Sequence, residues 1–176
     1  MNAQDRPQLG ILNREAPGWG VSEWINLPAD KTGLNIGDYK GKTLYLYGFQ
    51  SWCPGCHARG FPTLQKIIER FGDDPKVGIV AIQTVFEGFG TNTFDRAKEV
   101  AQRYGLKIPV GQSGNAGAPS ALMRSYRTGG TPWTVIVGPD GIVRFNDFHI
   151  EADVNFTPIS LGSIMMVGRH VPTDAW

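Results

Sequence analysis

Cysteine is scarce in this chain: two occur among 176 residues, separated by two positions. A pair so close together cannot be the crosslink framework that holds a secreted mini-fold in shape. Long apolar runs are missing as well. Nothing approaches the roughly 20 residues of a bilayer-spanning helix, and residues 1–10 are polar, without the apolar centre of a signal peptide. As written, the chain is expected to be cytoplasmic, and periplasmic or extracytoplasmic if an N-terminal leader has been removed. Charge of one sign is also lacking: 17 basic side chains face 16 acidic ones, for a formal net charge of +1. There is thus no electrostatic reason to expect nucleic acid, an anionic membrane or a strongly acidic partner. Only three histidines occur, and His149 and His170 stand far from the cysteines without ligand spacing, so no metal site is expected. The glycine-rich residues 111–117 lack the lysine and spacing of a phosphate loop and read as a flexible connection. No internal repeat or low-complexity tract is present.

What is there fits one domain, long enough to bury a core unaided. Residues 1–20, with Pro7, Gly10, Pro17, Gly18 and Gly20 and no clear period, read as an irregular arm. The domain is expected over residues 21–168, with a tail at 169–176. Short strand-like pieces at 24–27 and 33–36 precede a turn at 38–42. Thr43-Leu44-Tyr45-Leu46-Tyr47-Gly48-Phe49 then has the aromatic and β-branched content of a central strand. Pro54 suits a first helical turn; Leu64, Ile67, Ile68 and Phe71 recur at helical spacing, and Gly72 stands where a left-handed cap belongs. A second strand is expected at 77–85 and an amphipathic helix at 94–104, with Asp95 near its start, Arg103 near its end and Gly105 beyond. A short strand at 108–110, a helix around 120–126, a hairpin of 133–137 and 142–148 about Pro139-Asp140-Gly141, and a final helix at 156–167 complete the pattern. Parallel units followed by a hairpin describe an α/β domain with a mixed central sheet flanked by helices.

Chemistry is concentrated in Trp52-Cys53-Pro54-Gly55-Cys56, where strand hands over to helix. The attacking species in disulfide exchange is a thiolate, so a working cysteine must be reachable and held in a field that favours its anion. Cys53, at the mouth of the Pro54 helix, is expected to meet unpaired backbone N–H groups and the positive end of the helix dipole. Lowering a thiol from about 8.5 to about 7 raises its thiolate fraction at neutral pH more than tenfold, for about 2 kcal/mol. Cys56, one turn on, is placed to close a disulfide with Cys53 and to resolve a mixed disulfide on it. No cofactor is needed.

Rival chemistries share the same residues. Cys53-Pro54-Gly55-Cys56-His57 satisfies the attachment pattern of a c-type haem, with His57 as axial ligand and Met123, Met165 or Met166 as the other, but that reading wants a mainly helical domain. A peroxiredoxin-like thiol peroxidase would draw on Ser51 and on Arg124 or Arg127; the vicinal pair suits dithiol exchange better. A third alternative is a binding module whose cysteines sense redox state without turnover. His57 is expected as a partly exposed helix residue, Trp133 and Phe145 as core, and Lys98 and Arg103 as a solvated helix face.

The run from Phe49 through Gln50-Ser51-Trp52-Cys53-Pro54-Gly55-Cys56, with Pro62 and Leu64 after it, resembles the thioredoxin superfamily and within it the TlpA-like disulfide reductases. Gly130-Thr131-Pro132-Trp133 and the strand that follows look like that family's signature around a cis-proline, and residues 38–42 like the turn before its first central strand; the matches span residues 16–150. The resemblance implies a thioredoxin-like three-layer fold and a thiol-disulfide oxidoreductase acting as a disulfide reductase. Its partners would be protein thiols or disulfides and a redox donor or acceptor protein. The cis Thr131–Pro132 bond would set a backbone edge beside the cysteines, where an extended substrate pairs with Thr131. Trp52 would wall the site, with Pro54 and Gly55 tuning the couple and joining Trp52, Thr131 and Pro132 at the substrate-binding rim. Three departures stand out. Tyr47 occupies the place of thioredoxin's buried aspartate, and Arg59-Gly60 that of a glutamate common in TlpA-like proteins, leaving Glu87 or water as the expected proton acceptor. The step from Cys56 to Pro62 is one residue longer than usual, so the helix is expected to begin irregularly.

Overall fold

The computed structural model describes residues 8–148; the helix expected at 156–167, the tail, His149 and His170 lie outside them. Six strands form one sheet: β1 (Glu23–Ile25), β2 (Thr43–Phe49), β3 (Val77–Thr84), β4 (Val110–Ser113), β5 (Trp133–Val137) and β6 (Val143–Asp147), in the order β1-β4-β3-β2-β5-β6. The β4-β3-β2 centre is parallel, and β1, β5 and β6 add antiparallel pairings. Three helices accompany it: α1 (Phe61–Phe71), α2 (Phe94–Arg103) and α3 (Ala121–Tyr126). This is the thioredoxin-like α/β arrangement that the resemblance implies.

Strand periodicity decides where the core lies. On β2, Tyr45, Tyr47 and Phe49 face α1 and α2, joining Phe61, Leu64, Ile67 and Ala97, while Leu44 and Leu46 face Leu122, Tyr126 and Trp133 on the other side. With both faces covered, β2 is apolar throughout, as parallel-centre strands are. Each fully buried aliphatic or aromatic side chain here contributes about 1.5–3 kcal/mol of transfer free energy.

Helix α1 has the expected apolar stripe, but Gly72 keeps right-handed helical angles (φ −61°) instead of the expected left-handed cap; its amide bonds the carbonyl of Ile68 at 2.7 Å, so the ordinary helical bond simply continues. After α2 the left-handed conformation does occur, at Gly105 (φ +61°). The piece expected as a strand at 33–36 is a loop running into a 3-10 turn, Ile36–Tyr39, because Asn35 and Asp38 cap each other's backbone and outcompete extended structure. The glycine-rich stretch likewise departs from expectation. Its first residues belong to β4, paired on both sides, and Gly111 is there for room: a Cβ on it would come within 2.7 Å of Val21 and 2.9 Å of Trp24. Residues 8–20 are irregular yet seated on the domain. Trp19 is buried and donates from Nε1 to the Tyr126 hydroxyl (3.3 Å), which donates to the carbonyl of Pro17 (2.7 Å).

Candidate active site

The cysteines lie at the C-terminal end of β2, where the chain leaves the sheet as a turn over Gln50, Ser51 and Trp52 and closes on itself through Cys53 N–H to Gln50 C=O (3.1 Å). From Cys56 to Gly60 the backbone forms a π turn before α1 begins, and the Phe61 N–H reaches back five residues to the carbonyl of Cys56. The extra residue between Cys56 and Pro62 is thus absorbed as one wide turn, the irregular start the spacing implies.

Both cysteines are free thiols. Their sulfurs stand 2.6 Å apart, and the Cys56 amide donates to Cys53 Sγ at 3.2 Å. Cys53 is more enclosed than a reachable nucleophile suggests, at 6 % exposed, while Cys56 is sealed at 0 %. Across the site the Thr131–Pro132 bond is cis, and Cys53 Sγ lies 3.4 Å from the Thr131 carbonyl oxygen. Gly55 completes this wall: a Cβ there would stand 3.3 Å from Pro132 Cδ. Trp52 projects into solvent at 48 % exposed. It borders a groove of about 360 Å³ shared with Ser51, Thr91, Arg96, Val100 and Arg103.

The two thiols are pushed in opposite directions. Cys53 is lowered to about 6, chiefly because the Cys56 thiol donates to it; burial opposes this, and Thr131 and the backbone amides of Cys56 and Gly55 add to it. Cys56 is raised by burial first and by Cys53 beside it second. The anion-favouring field expected from a helix start is therefore delivered mainly by the partner thiol, with the first amides contributing.

Beneath the turn lies a buried amide network that periodicity did not single out. Gln83 Oε1 accepts from the Ser51 amide (2.9 Å) and the Ser51 hydroxyl, and Gln83 Nε2 donates to the carbonyls of Asn92 (3.0 Å) and Thr93 (2.9 Å) and to Gln112 Oε1 (2.7 Å). Asn92 Nδ2 in turn donates to Gln50 Oε1 (3.3 Å). The available signal was a glutamine near the C-terminal end of each of two apolar strands, β3 and β4. His57 is half-buried, as expected, and both of its ring nitrogens are engaged. Nε2–H donates to the Ser51 carbonyl (2.7 Å) and Nδ1 bonds the Tyr104 hydroxyl (2.8 Å), so neither is free for a haem iron. For a peroxidase, the Ser51 hydroxyl is committed to Gln83, and Arg124 and Arg127 line a separate groove with Phe86 and Met123. Glu87 is exposed on the loop after β3, whereas Cys56 is sealed; among the described residues no carboxylate is buried.

The redoxin family model matches residues 22–154. None of the curated proteins matches the chain. Among solved structures, a thioredoxin-like superfamily protein is 32% identical with a TM-score of 0.71, over 79% of this chain and 88% of its own. A thiol-disulfide isomerase from Corynebacterium glutamicum is 31% identical with a TM-score of 0.64, over 76% and 86%. A secreted disulfide oxidoreductase from Mycobacterium tuberculosis shares the fold at 20% identity and a TM-score of 0.52, over 68% and 81%. With the family model spanning most of the domain and two solved relatives above 30% identity, the chain belongs to the redoxin family of thioredoxin-like thiol-disulfide oxidoreductases.

Proposed function

We propose that the protein exchanges a Cys53–Cys56 dithiol for disulfides on partner proteins, as a disulfide reductase fed by a separate redox donor. The observation that carries this reading is the asymmetry of the pair: two free thiols 2.6 Å apart, with Cys53 against the Thr131 carbonyl and Cys56 sealed behind it. In the forward reaction the Cys53 thiolate attacks one sulfur of a partner disulfide; a Cys53–partner bond forms, the partner's S–S bond breaks, and its other sulfur leaves as a thiolate that takes up a proton. Cys56, after losing its proton, attacks Cys53 Sγ, closing the internal disulfide and releasing the second partner thiol. Two electrons pass from the dithiol to the partner, and no cofactor takes part.

Thr131, Pro132, Trp52, Pro54 and Gly55 form the proposed substrate rim. The turn at Thr131 offers an extended segment a backbone edge beside Cys53, and the Trp52 indole gives it a flat apolar wall. Such a surface suits peptides in preference to small thiols alone. The reductive direction rests on the resemblance to disulfide reductases.

The test is a redox titration against dithiothreitol or glutathione, read by thiol trapping, with Cys53→Ser and Cys56→Ser alongside. A reversible two-electron transition is expected, with Cys56→Ser accumulating mixed disulfides with partner peptides and Cys53→Ser forming none. Thiols that neither pair nor react faster than a free cysteine would overturn the proposal and leave a fold that binds without turnover.

A further inference from the structure

Cys56 presents a chemical problem. To resolve a mixed disulfide it must become a thiolate, yet its sulfur is fully sealed and no buried carboxylate lies among the described residues to receive its proton or steady its charge. The nearby polar group that the fold leaves unused is the hydroxyl of Tyr47. That side chain sits in the α1 face of the core, stacked on Phe49 at 6.0 Å and edge-on to Phe61 at 5.3 Å. Its oxygen is buried and has no hydrogen-bond partner. A buried donor left unpaired costs about 1–3 kcal/mol, so it calls for a reason.

The reason lies in the π turn. Gly60, four residues after Cys56 and so on the same side of the turn, is the residue against which the Tyr47 hydroxyl rests; a methyl at position 60 would overlap that oxygen. The missing side chain at Gly60 leaves room that the phenol oxygen fills, on the side of the turn that carries Cys56. The neighbours that oppose ionisation of Tyr47, after burial itself, begin with Cys56, both through its charge and by lying within reach of the phenol O–H, and include Tyr45 and Cys53. Burial thus keeps the phenol protonated, a donor and not a base. The remaining titratable groups on this side are His57 and Tyr104, which pair with each other beyond Phe61.

We infer that the Tyr47 hydroxyl donates a hydrogen bond to the Cys56 thiolate as it forms, and so sets the rate at which the resolving cysteine closes the disulfide. In that step Cys56 gives its proton to water, and its sulfur attacks Cys53 Sγ. The Cys53–partner bond breaks, and the partner sulfur departs with the electron pair and is protonated by water. Tyr47 keeps its own proton throughout. An oxygen without a partner in the dithiol becomes paired in the transition state, the kind of differential interaction that accelerates a step.

The inference rests on the dithiol-exchange reading, and the two are separable in one experiment with the full chain. Reduced protein is mixed with 5,5′-dithiobis(2-nitrobenzoate) in stopped flow: Cys53 attack releases the first chromophore and Cys56 resolution the second. Tyr47→Phe is expected to leave the first phase within about twofold and to slow the second about tenfold, a difference of about 1.4 kcal/mol. A merely structural role for Tyr47 would not split the phases. Gly60→Ala, whose methyl displaces the phenol while keeping it, is expected to slow the second phase as well and serves if Tyr47→Phe does not fold. An unchanged second phase in either folded variant overturns the inference. A wild-type first phase no faster than that of a free cysteine overturns the exchange reading beneath it.

Discussion

The imidazole of His57 donates to the carbonyl of Ser51 at 2.7 Å, tying the residue after Cys56 to the residue two before Cys53. Because Nδ1 is also held by Tyr104 at 2.8 Å and the ring packs beside Phe61 and Tyr104, one side chain braces the cysteine turn against both α1 and the end of α2. A partly buried side-chain hydrogen bond of this kind is worth about 1 kcal/mol. His57→Ala is therefore expected to lower unfolding stability by about 2 kcal/mol and Tyr104→Phe by about 1 kcal/mol, read as a change in urea midpoint at constant slope. An unaltered midpoint in His57→Ala would show that the brace is not holding the turn.

The amide network predicts a larger effect. Gln83 Oε1 alone accepts from both the amide and the hydroxyl of Ser51 beneath the active-site turn. Gln83→Leu strands the part-buried Ser51 donors and the Gln112 side chain and is expected to cost about 2–4 kcal/mol and to slow Cys53 alkylation as the turn loosens. Thermal unfolding together with iodoacetamide kinetics checks both parts; a variant as stable as wild type contradicts the role given to Gln83.

Reactivity of the dithiol form has a defined pH dependence. Alkylation of Cys53 is expected to rise through half-maximum at about 6. Since the Cys56 thiol is the main cause, Cys56→Ala should move that midpoint up toward the ordinary thiol value of about 8.5. The stability of the dithiol follows by linkage. Cys53, depressed on folding, contributes stability that is fully present above about 8.5 and is lost as pH falls through about 6. Cys56, raised on folding, contributes stability present below about 8.5 that declines above it. Urea midpoints of the reduced protein, measured across this range, are expected to peak near the ordinary thiol value and to fall on either side of it.

The redox potential follows from the same thiolate. A nucleophile thiol held below the value of about 7 found in thioredoxin stabilises the dithiol at neutral pH and makes the couple more oxidising. The midpoint is expected to be less negative than thioredoxin's value of about −270 mV. A midpoint at or below that value, in a glutathione or dithiothreitol titration, would mean that disulfide-form contacts outweigh this effect.

Trp52 offers a cleaner test of the proposed substrate rim, because its half-exposed ring contributes little to the core. Trp52→Ala is expected to change stability by less than about 0.5 kcal/mol while weakening reaction with a disulfide-bonded peptide about tenfold, with small aromatic disulfides affected less. Equal loss with both kinds of substrate would place the effect on Cys53 itself.

What the sequence determined by itself was local. A β-branched and aromatic strand, a proline at a helix start, and two cysteines one turn apart have short-range causes, and so β2, α1 and the pairing of Cys53 with Cys56 were legible, down to the extra residue that becomes the π turn at Cys56–Gly60. The fold class and the hairpin of β5 and β6 were legible for the same reason. Features set between distant segments were not. Gly111 looked like loop because the need for close packing under Trp24 comes from β1, far away in sequence. The arm read only as irregular because its anchor, Trp19, is bound by Tyr126, 107 residues on. Only tertiary structure decided that Cys53 faces the Thr131 carbonyl, that Gln83 supports the turn, and that the Tyr47 hydroxyl rests on Gly60 behind Cys56. Hydrogen bonding and burial depend on which atoms meet in space, and the sheet order that brings β2, β3 and β5 side by side is a property of the whole packed chain, not of any segment of it.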